Sequence, residues 1–179
     1  MNDHELALKL KTKTLRTARL IIRPFCDTDE DGLLELFRDE NTMRMDGDCP
    51  IPEKNTEFFR RIDLIKNGSL IWFFSEEETS GAFVGYVMLE DKGEAFSLGF
   101  AITKSKQRMG YGFEALSAIV NMLRENGVQE IRIKTWEKNL PCQKLAEKLG
   151  FEKAGIVRHD HRDPLTSETG NSFLYALRN

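Results

Sequence analysis

The stretch Gln107-Arg108-Met109-Gly110-Tyr111-Gly112 joins a strand-forming run, Ala95 to Thr103, to a helical run, Gly110 to Asn126. In the helical run Leu116, Ile119, Val120 and Leu123 share one face, and Gly127 supplies the stop signal. The two glycines at the junction let the backbone approach a ligand closely. The first helical turn adds unpaired N–H groups and the positive end of the helix dipole. Together these make an anion site, most naturally for a pyrophosphate, and Lys104, Lys106 and Arg108 bring positive charge to it. A plain glycine turn would read the same way. A dinucleotide fingerprint does not fit: Ala115 follows Gly112 by three, but the preceding strand belongs to an antiparallel meander. Nor does a Walker loop, because no Gly-Lys-Ser/Thr follows.

Upstream of this junction, Arg19-Leu20-Ile21-Ile22-Arg23 reads as a strand ended by Pro24, and Asp27-Thr28-Asp29-Glu30 opens a helix with Leu33, Leu34, Leu36 and Phe37 on its apolar face. Residues 41–51 read as a loop. A second helix starts at Pro52-Glu53, carries Phe58, Phe59, Ile62 and Ile65 at helical spacing, and ends at Asn67-Gly68. Leu70 to Ser75, Ala82 to Glu90 and Ala95 to Thr103 then form the meander. Downstream, Glu130 to Trp136 alternates as a strand, Leu140 to Leu149 is a helix stopped by Gly150, and Phe151–Val157 and Ser172–Leu177 close the chain as strands. The expected order is β-α-α-β-β-β-α-β-α-β-β: an α/β (α+β) domain with a mixed, mostly antiparallel sheet and about four helices. Residues 1–13 are expected to be a polar tail and residues 14–179 one domain, with no repeat or linker dividing it.

The composition agrees with one soluble domain. The chain has 179 residues, 40% hydrophobic and 31% charged, with 26 Lys plus Arg against 29 Asp plus Glu. A chain of this size buries roughly 70% of its unfolded surface and needs no disulfide or metal staple. A net charge of −3 gives no support to a nucleic-acid partner. Cys26, Cys49 and Cys142 are too few and too scattered for a disulfide framework or a zinc site. His159-Asp160-His161 places two imidazoles on one face of a strand without an evident third ligand, so no metal is expected. No run approaches the roughly 20 apolar residues of a membrane span, and Met1-Asn2-Asp3-His4-Glu5 is not a secretory start. No membrane partner and a cytoplasmic setting are expected.

Three motifs in order then carry a resemblance. Gln107-x-x-Gly110-x-Gly112 followed by Glu114-Ala115-Leu116, then Asn139-Leu140-Pro141-Cys142, then Leu145-Ala146-x-x-Leu149-Gly150-Phe151 resemble the GCN5-related N-acetyltransferases (GNAT). The opening Arg16–Arg23 segment and the element order resemble the RimJ/RimL-like branch, which acetylates ribosomal-protein N-terminal amines. The resemblance covers about residues 14 to 178.

It implies a sheet in which Ala95–Thr103 and Glu130–Trp136 splay apart to admit the pantetheine arm of acetyl-CoA. The backbones of Phe100 and Ile102 would then pair with that arm, Gln107, Arg108, Met109, Gly110, Tyr111 and Gly112 would cradle the pyrophosphate, and Asn139 would hydrogen-bond the arm near the thioester. Asn139 is also a good N-cap for the following helix.

The implied reaction is direct acetyl transfer to an amine acceptor, a peptide N-terminus or a small molecule such as a polyamine, amino acid or antibiotic; the alternative is an acyl-CoA-binding module without turnover, suggested by the absent strand glutamate and by Cys142 in place of serine. It needs a base for the amine and a proton donor for the departing thiolate. Cys142 stands where relatives often carry a serine and is the candidate donor, although a helix-face Cys is commonly buried packing. Relatives often hold a glutamate where Ser97 stands here, and Glu90, with Asp91 and Glu94 nearby, is the candidate base. The resemblance also implies that Trp136, Phe73, Phe58, Phe59 and the Met43–Cys49 segment surround the acceptor, in a monomer or homodimer.

Overall fold

The computed structural model describes Leu6 and residues 9–179. It contains β1 (Leu15–Arg16), β2 (Leu20–Arg23), a 3-10 turn (Asp27–Asp29), α1 (Glu30–Arg38), α2 (Glu40–Asp46), α3 (Thr56–Asn67), β3 (Ile71–Glu77), β4 (Phe83–Asp91) and β5 (Phe96–Ile102). There follow a second 3-10 turn (Lys104–Lys106), α4 (Tyr111–Glu125), β6 (Glu130–Trp136), α5 (Leu140–Lys148), β7 (Glu152–Arg162) and β8 (Thr169–Arg178). The strands make one sheet in the order β1-β2-β3-β4-β5-β6-β8-β7. Every neighbouring pair is antiparallel except β5–β6.

Alternation along the strands splits the apolar residues between two cores, one on each face of the sheet. Ile71 and Phe73 of β3, Val87 and Leu89 of β4 and Phe96 and Leu98 of β5 pack with the Leu116–Leu123 face of α4 and with Ala146 of α5. Phe74, Tyr86 and Ala101 turn the other way and pack against α1, α3 and Met43 of α2. The expected polar tail lies partly outside the described residues. Within it, Leu6 and Leu10 are buried against the first core, Leu10 completely.

One expected loop is a helix. Within residues 41–51 the chain forms the C-terminal part of α2: Asp39 caps it by accepting from the Thr42 amide at 3.0 Å, and Gly47, at φ +80°, closes it in the left-handed conformation. The helix expected to start at Pro52-Glu53 starts instead at Thr56, where Asn55 accepts from the Phe58 amide at 3.1 Å.

The sheet contains two irregularities that shape the site. The β3–β4 register shifts between Ser75 and Glu76, so that Ser75 pairs with Gly85 and Glu76 with Phe83 while Val84 is left over as a bulge. A Cβ at Gly85 would lie 2.1 Å from the Ala101 carbonyl oxygen on β5, so only glycine fits. The β5–β6 ladder covers Phe96↔Ile131, Ser97↔Arg132 and Leu98↔Ile133 and then stops, whereas β5 stays paired with β4 as far as Ile102 and β6 with β8 as far as Trp136. The two central strands therefore fork beyond Leu98 and Ile133.

Gly85→Ala is expected to cost about 2–3 kcal/mol by overpacking. That would lower Tm by roughly 5–10 °C in a thermal melt.

Candidate active site

The fork leaves the inner edge of β5 unpaired. Thr103 donates its backbone N–H to Val84 at 2.9 Å, on the β4 side. By strand alternation, Ile102 and Phe100 turn their N–H and C=O groups the opposite way, into the fork. The Ile102 carbonyl accepts from the Gln107 side-chain amide at 2.9 Å, which fixes the start of the turn against the strand. The Phe100 and Ile102 side chains pack against the α4-side core.

The turn that follows is held in a shape suited to an anion. Gly110 caps α4 at φ +86° and Arg108 sits at φ +61°, both left-handed. Among the described residues no backbone carbonyl accepts from the N–H groups of residues 108–113, which leaves a run of donors at the positive end of α4. A Cβ at Gly112 would meet Leu145 of α5 at 3.3 Å and Ile102 at 3.6 Å, so this glycine lets α4 start hard against strand and helix.

Residues distant in sequence brace the turn. Arg19 stacks 4.2 Å from the Tyr111 ring centre, donates to the Met109 carbonyl at 3.1 Å, and pairs through Nε with Glu114 at 2.7 Å. Glu114 also accepts from the Arg19 backbone at 2.8 Å and from the Thr17 hydroxyl at 2.5 Å. Its carboxyl lies below the usual range: burial raises it, and the bonds from Thr17 and Arg19 outweigh that. Tyr111 is buried, with its hydroxyl donating to Glu77 at 2.5 Å.

Of the three cations expected to supply positive charge, Lys106 is largely spent on Glu77 at 2.8 Å, and Lys104 lies 3.7 Å from Asp39. Arg108 is exposed and makes no ion pair among the described residues.

The β6 arm of the fork is closed off by α5. The Asn139 Oδ1 accepts from the Cys142 amide at 3.2 Å and thereby caps that helix. Its Nδ2 makes no hydrogen bond among the described residues. Cys142 packs half-buried against the core, and burial pushes its thiol up to about 11, with the Asp46 charge adding to the rise and Thr135 opposing it. Such a thiol holds its proton at neutral pH and is unsuited to act as a thiolate nucleophile.

On the other face a cavity of about 400 Å³ opens beside Gly99 and Phe100, walled by Trp72, Tyr86, Phe37, Asp46, Asp48 and Arg61 among others. Part of the Met43–Cys49 segment lines it, but as the end of α2 and the loop after it. Phe73 and Trp136 do not line it. Phe73 is fully buried in the α4-side core, and the strand period gives the cleft wall to its neighbour Trp72. Trp136 is buried and stacked on His161, ring centres 4.2 Å apart. Phe58 is fully buried and Phe59 exposed.

Glu90 lies on the closed side of the fork, opposite Ser97 in the ladder and 2.6 Å from Lys92. The structure does not bring it to the cleft. Among the described residues no cluster of three or more His, Cys, Asp or Glu side chains is placed to hold a metal.

Known proteins share this sequence pattern and fold. A family model described as an acetyltransferase (GNAT) domain matches residues 19–152. The uncharacterized N-acetyltransferase YjdG of Bacillus subtilis (strain 168) is 31% identical over 158 residues, spanning 79% of this chain and 88% of that protein. The [ribosomal protein bS18]-alanine N-acetyltransferase of Haemophilus ducreyi is 27% identical over 104 residues, spanning 58% of this chain and 70% of that protein. In fold, the chain superposes with a TM-score of 0.77 on RimL, the ribosomal L7/L12 alpha-N-protein acetyltransferase solved with coenzyme A, at 16% identity over 93% of this chain and 98% of that one.

Gly110→Asp is expected to abolish CoA binding by calorimetry while circular dichroism stays unchanged, because it sets a carboxylate among the free N–H groups at a strain cost of roughly 1–2 kcal/mol; unchanged affinity would place the phosphate site elsewhere. The chain belongs to the GNAT acetyltransferase family and is an N-acetyltransferase.

Proposed function

We propose that the enzyme transfers acetyl from acetyl-CoA directly to a single primary amine, with a protein N-terminal amine as the favoured acceptor. One observation carries this: the β5–β6 fork runs between the donor-lined turn on one face and the Asp46–Tyr86 cleft on the other. A thioester laid along the fork meets an amine at its far end.

The residues present fit acetyl-CoA, which supplies the activated acyl group when bound. The inner edge of Phe100 offers backbone groups to the pantetheine amides, as the Ile102 backbone does beside Gln107. Gln107, Arg108, Met109, Gly110, Tyr111 and Gly112 form the pyrophosphate cradle, with Arg108 as its uncommitted cation. Asn139 presents its free Nδ2 beside the thioester end. The Cys142 thiol, protonated at neutral pH, donates to the departing sulfur.

The charge of the cleft supports a single ammonium. Its two carboxylates, Asp46 and Asp48, face two arginines, Arg60 and Arg61. Asp48 is paired with Arg61 at 3.1 Å, which leaves Asp46 for one cation, and the arginines oppose a second. A polyamine carries several cations; a peptide terminus carries one and continues as neutral chain. The bS18-alanine acetyltransferase relative supports the same choice. The three free thiols are consistent with a cytoplasmic setting.

Thiol release from acetyl-CoA with peptides beginning Ala or Ser is expected to exceed that with spermidine by about tenfold or more in kcat/KM, or roughly 1.4 kcal/mol. A preference for spermidine would reassign the enzyme to small amines. Cys142→Ser is expected to keep most of the turnover and Cys142→Ala to lose about tenfold, whereas full activity of the alanine variant would remove the thiol from the reaction.

A further inference from the structure

With Glu90 on the closed side of the fork, the amine's proton needs another acceptor. Asp46, the last residue of α2, lines the cleft beside Gly99 and Phe100. It makes no ion pair among the described residues, unlike its neighbour Asp48. It shares the cleft wall with Tyr86 of β4, and its charge is felt at a distance by the Cys142 thiol on α5.

The helix carrying it is clamped at several points. Arg44 pairs through Nε at 3.0 Å with Asp163, which is completely buried at the end of the β7 arm. Thr42 accepts from Gln107 at 3.4 Å, and α2 packs on β6. Asp46 is thus held on the wall of the cleft beside Gly99 and Phe100 of β5, where that strand has left β6.

We propose that Asp46 binds the acceptor's ammonium group and takes its proton. This rests on the transferase reading above. One proton of the ammonium passes to the Asp46 carboxylate. The free amine nitrogen bonds to the thioester carbonyl carbon as the carbon–sulfur bond breaks. The nitrogen's surplus proton ends on the departing thiolate by way of the Cys142 thiol, and Asp46 returns its own proton to solvent.

The titration of Asp46 suits the task. Asp46 is exposed at the cleft wall, yet the protein around it, then the charge of Asp48, raises its carboxyl to about 6, while the Tyr86 hydroxyl and Arg61 pull it down. Asp48 of the α2–α3 loop, Arg60 and Arg61 of α3 and Tyr86 of β4 line the cleft with it, and the Cys142 thiol on α5 feels its charge from farther off. A base in this range is ionised at neutral pH and basic enough to hold a proton in passing.

The test uses the full chain with acetyl-CoA and an acceptor peptide with a free N-terminus, reading thiol release across pH and CoA affinity by calorimetry, for the unchanged protein, Asp46→Asn and Asp46→Glu. Expected for the unchanged protein is a kcat/KM that falls below about pH 6, as Asp46 gains its proton. Asp46→Asn is expected to lower kcat by roughly 10²–10⁴-fold and to lose that acid limb, with CoA affinity kept within about twofold, while Asp46→Glu recovers part of the rate with a displaced limb. An Asn variant that binds CoA and keeps both the rate and the acid limb overturns the role of Asp46 alone. Loss of CoA affinity in both variants makes Asp46 a cofactor-side residue and also overturns it. Failure of the unchanged protein to bind acetyl-CoA overturns the transferase reading and this inference with it.

Discussion

The break in pairing after Leu98↔Ile133 is the constraint on which the rest of the molecule depends. A parallel ladder between two central strands would normally run their full length, and ending it early leaves backbone groups bare in the middle of a sheet. The protein sustains this because each strand is secured on its other side, β5 by β4 and β6 by β8. The β4 bulge at Val84 and the side chain of Gln107 on the Ile102 carbonyl then secure the far end of β5. The bare edge is therefore a rigid feature, available to a ligand with amides of its own.

The two faces of the sheet divide the work around that opening. The α4 face holds the larger core and presents the glycine turn, braced by Arg19 from near the start of the chain against Glu114 in the first turn of α4. The α1–α3 face presents an aromatic cleft of nearly balanced charge, with one carboxylate left unpaired. The fork is where the two meet, between the glycine turn and the cleft.

Ion pairs matter here more for placement than for strength. Exposed pairs such as Arg16–Glu78 contribute little. Arg44–Asp163 acts differently, because Asp163 is fully buried and also accepts from the Leu165 amide at 2.9 Å. Arg44 holds this carboxyl well below the usual range. That folded-state depression contributes stability above the unfolded carboxyl range, and the contribution is lost as acid protonates the group. The contact ties α2 to the β7 arm, and so it fixes the position of Asp46.

The sequence by itself determined the architecture. Alternation in Ala95–Thr103 and Glu130–Trp136, the helical face of α4 and the stop signals at Gly127 and Gly150 are local properties, and the elements formed close to where those signals lie. The glycine turn was legible for the same reason. α2 also had its signals, Asp39 as cap and Gly47 as terminator, but its short polar sequence lacks the apolar stripe that marks a helix. What only the tertiary structure decided is which distant groups meet. Arg19 and Glu114 are far apart in the chain, as are Arg44 and Asp163, and Asp46 and Tyr86 wall one cleft only because α2 packs against that face of the sheet. Whether Trp72 or Phe73 faces the cleft depends on which side of the sheet receives α3, and Glu90 is kept from the cleft by where the ladder stops. These are properties of packing across the sheet, which periodicity along the chain does not encode.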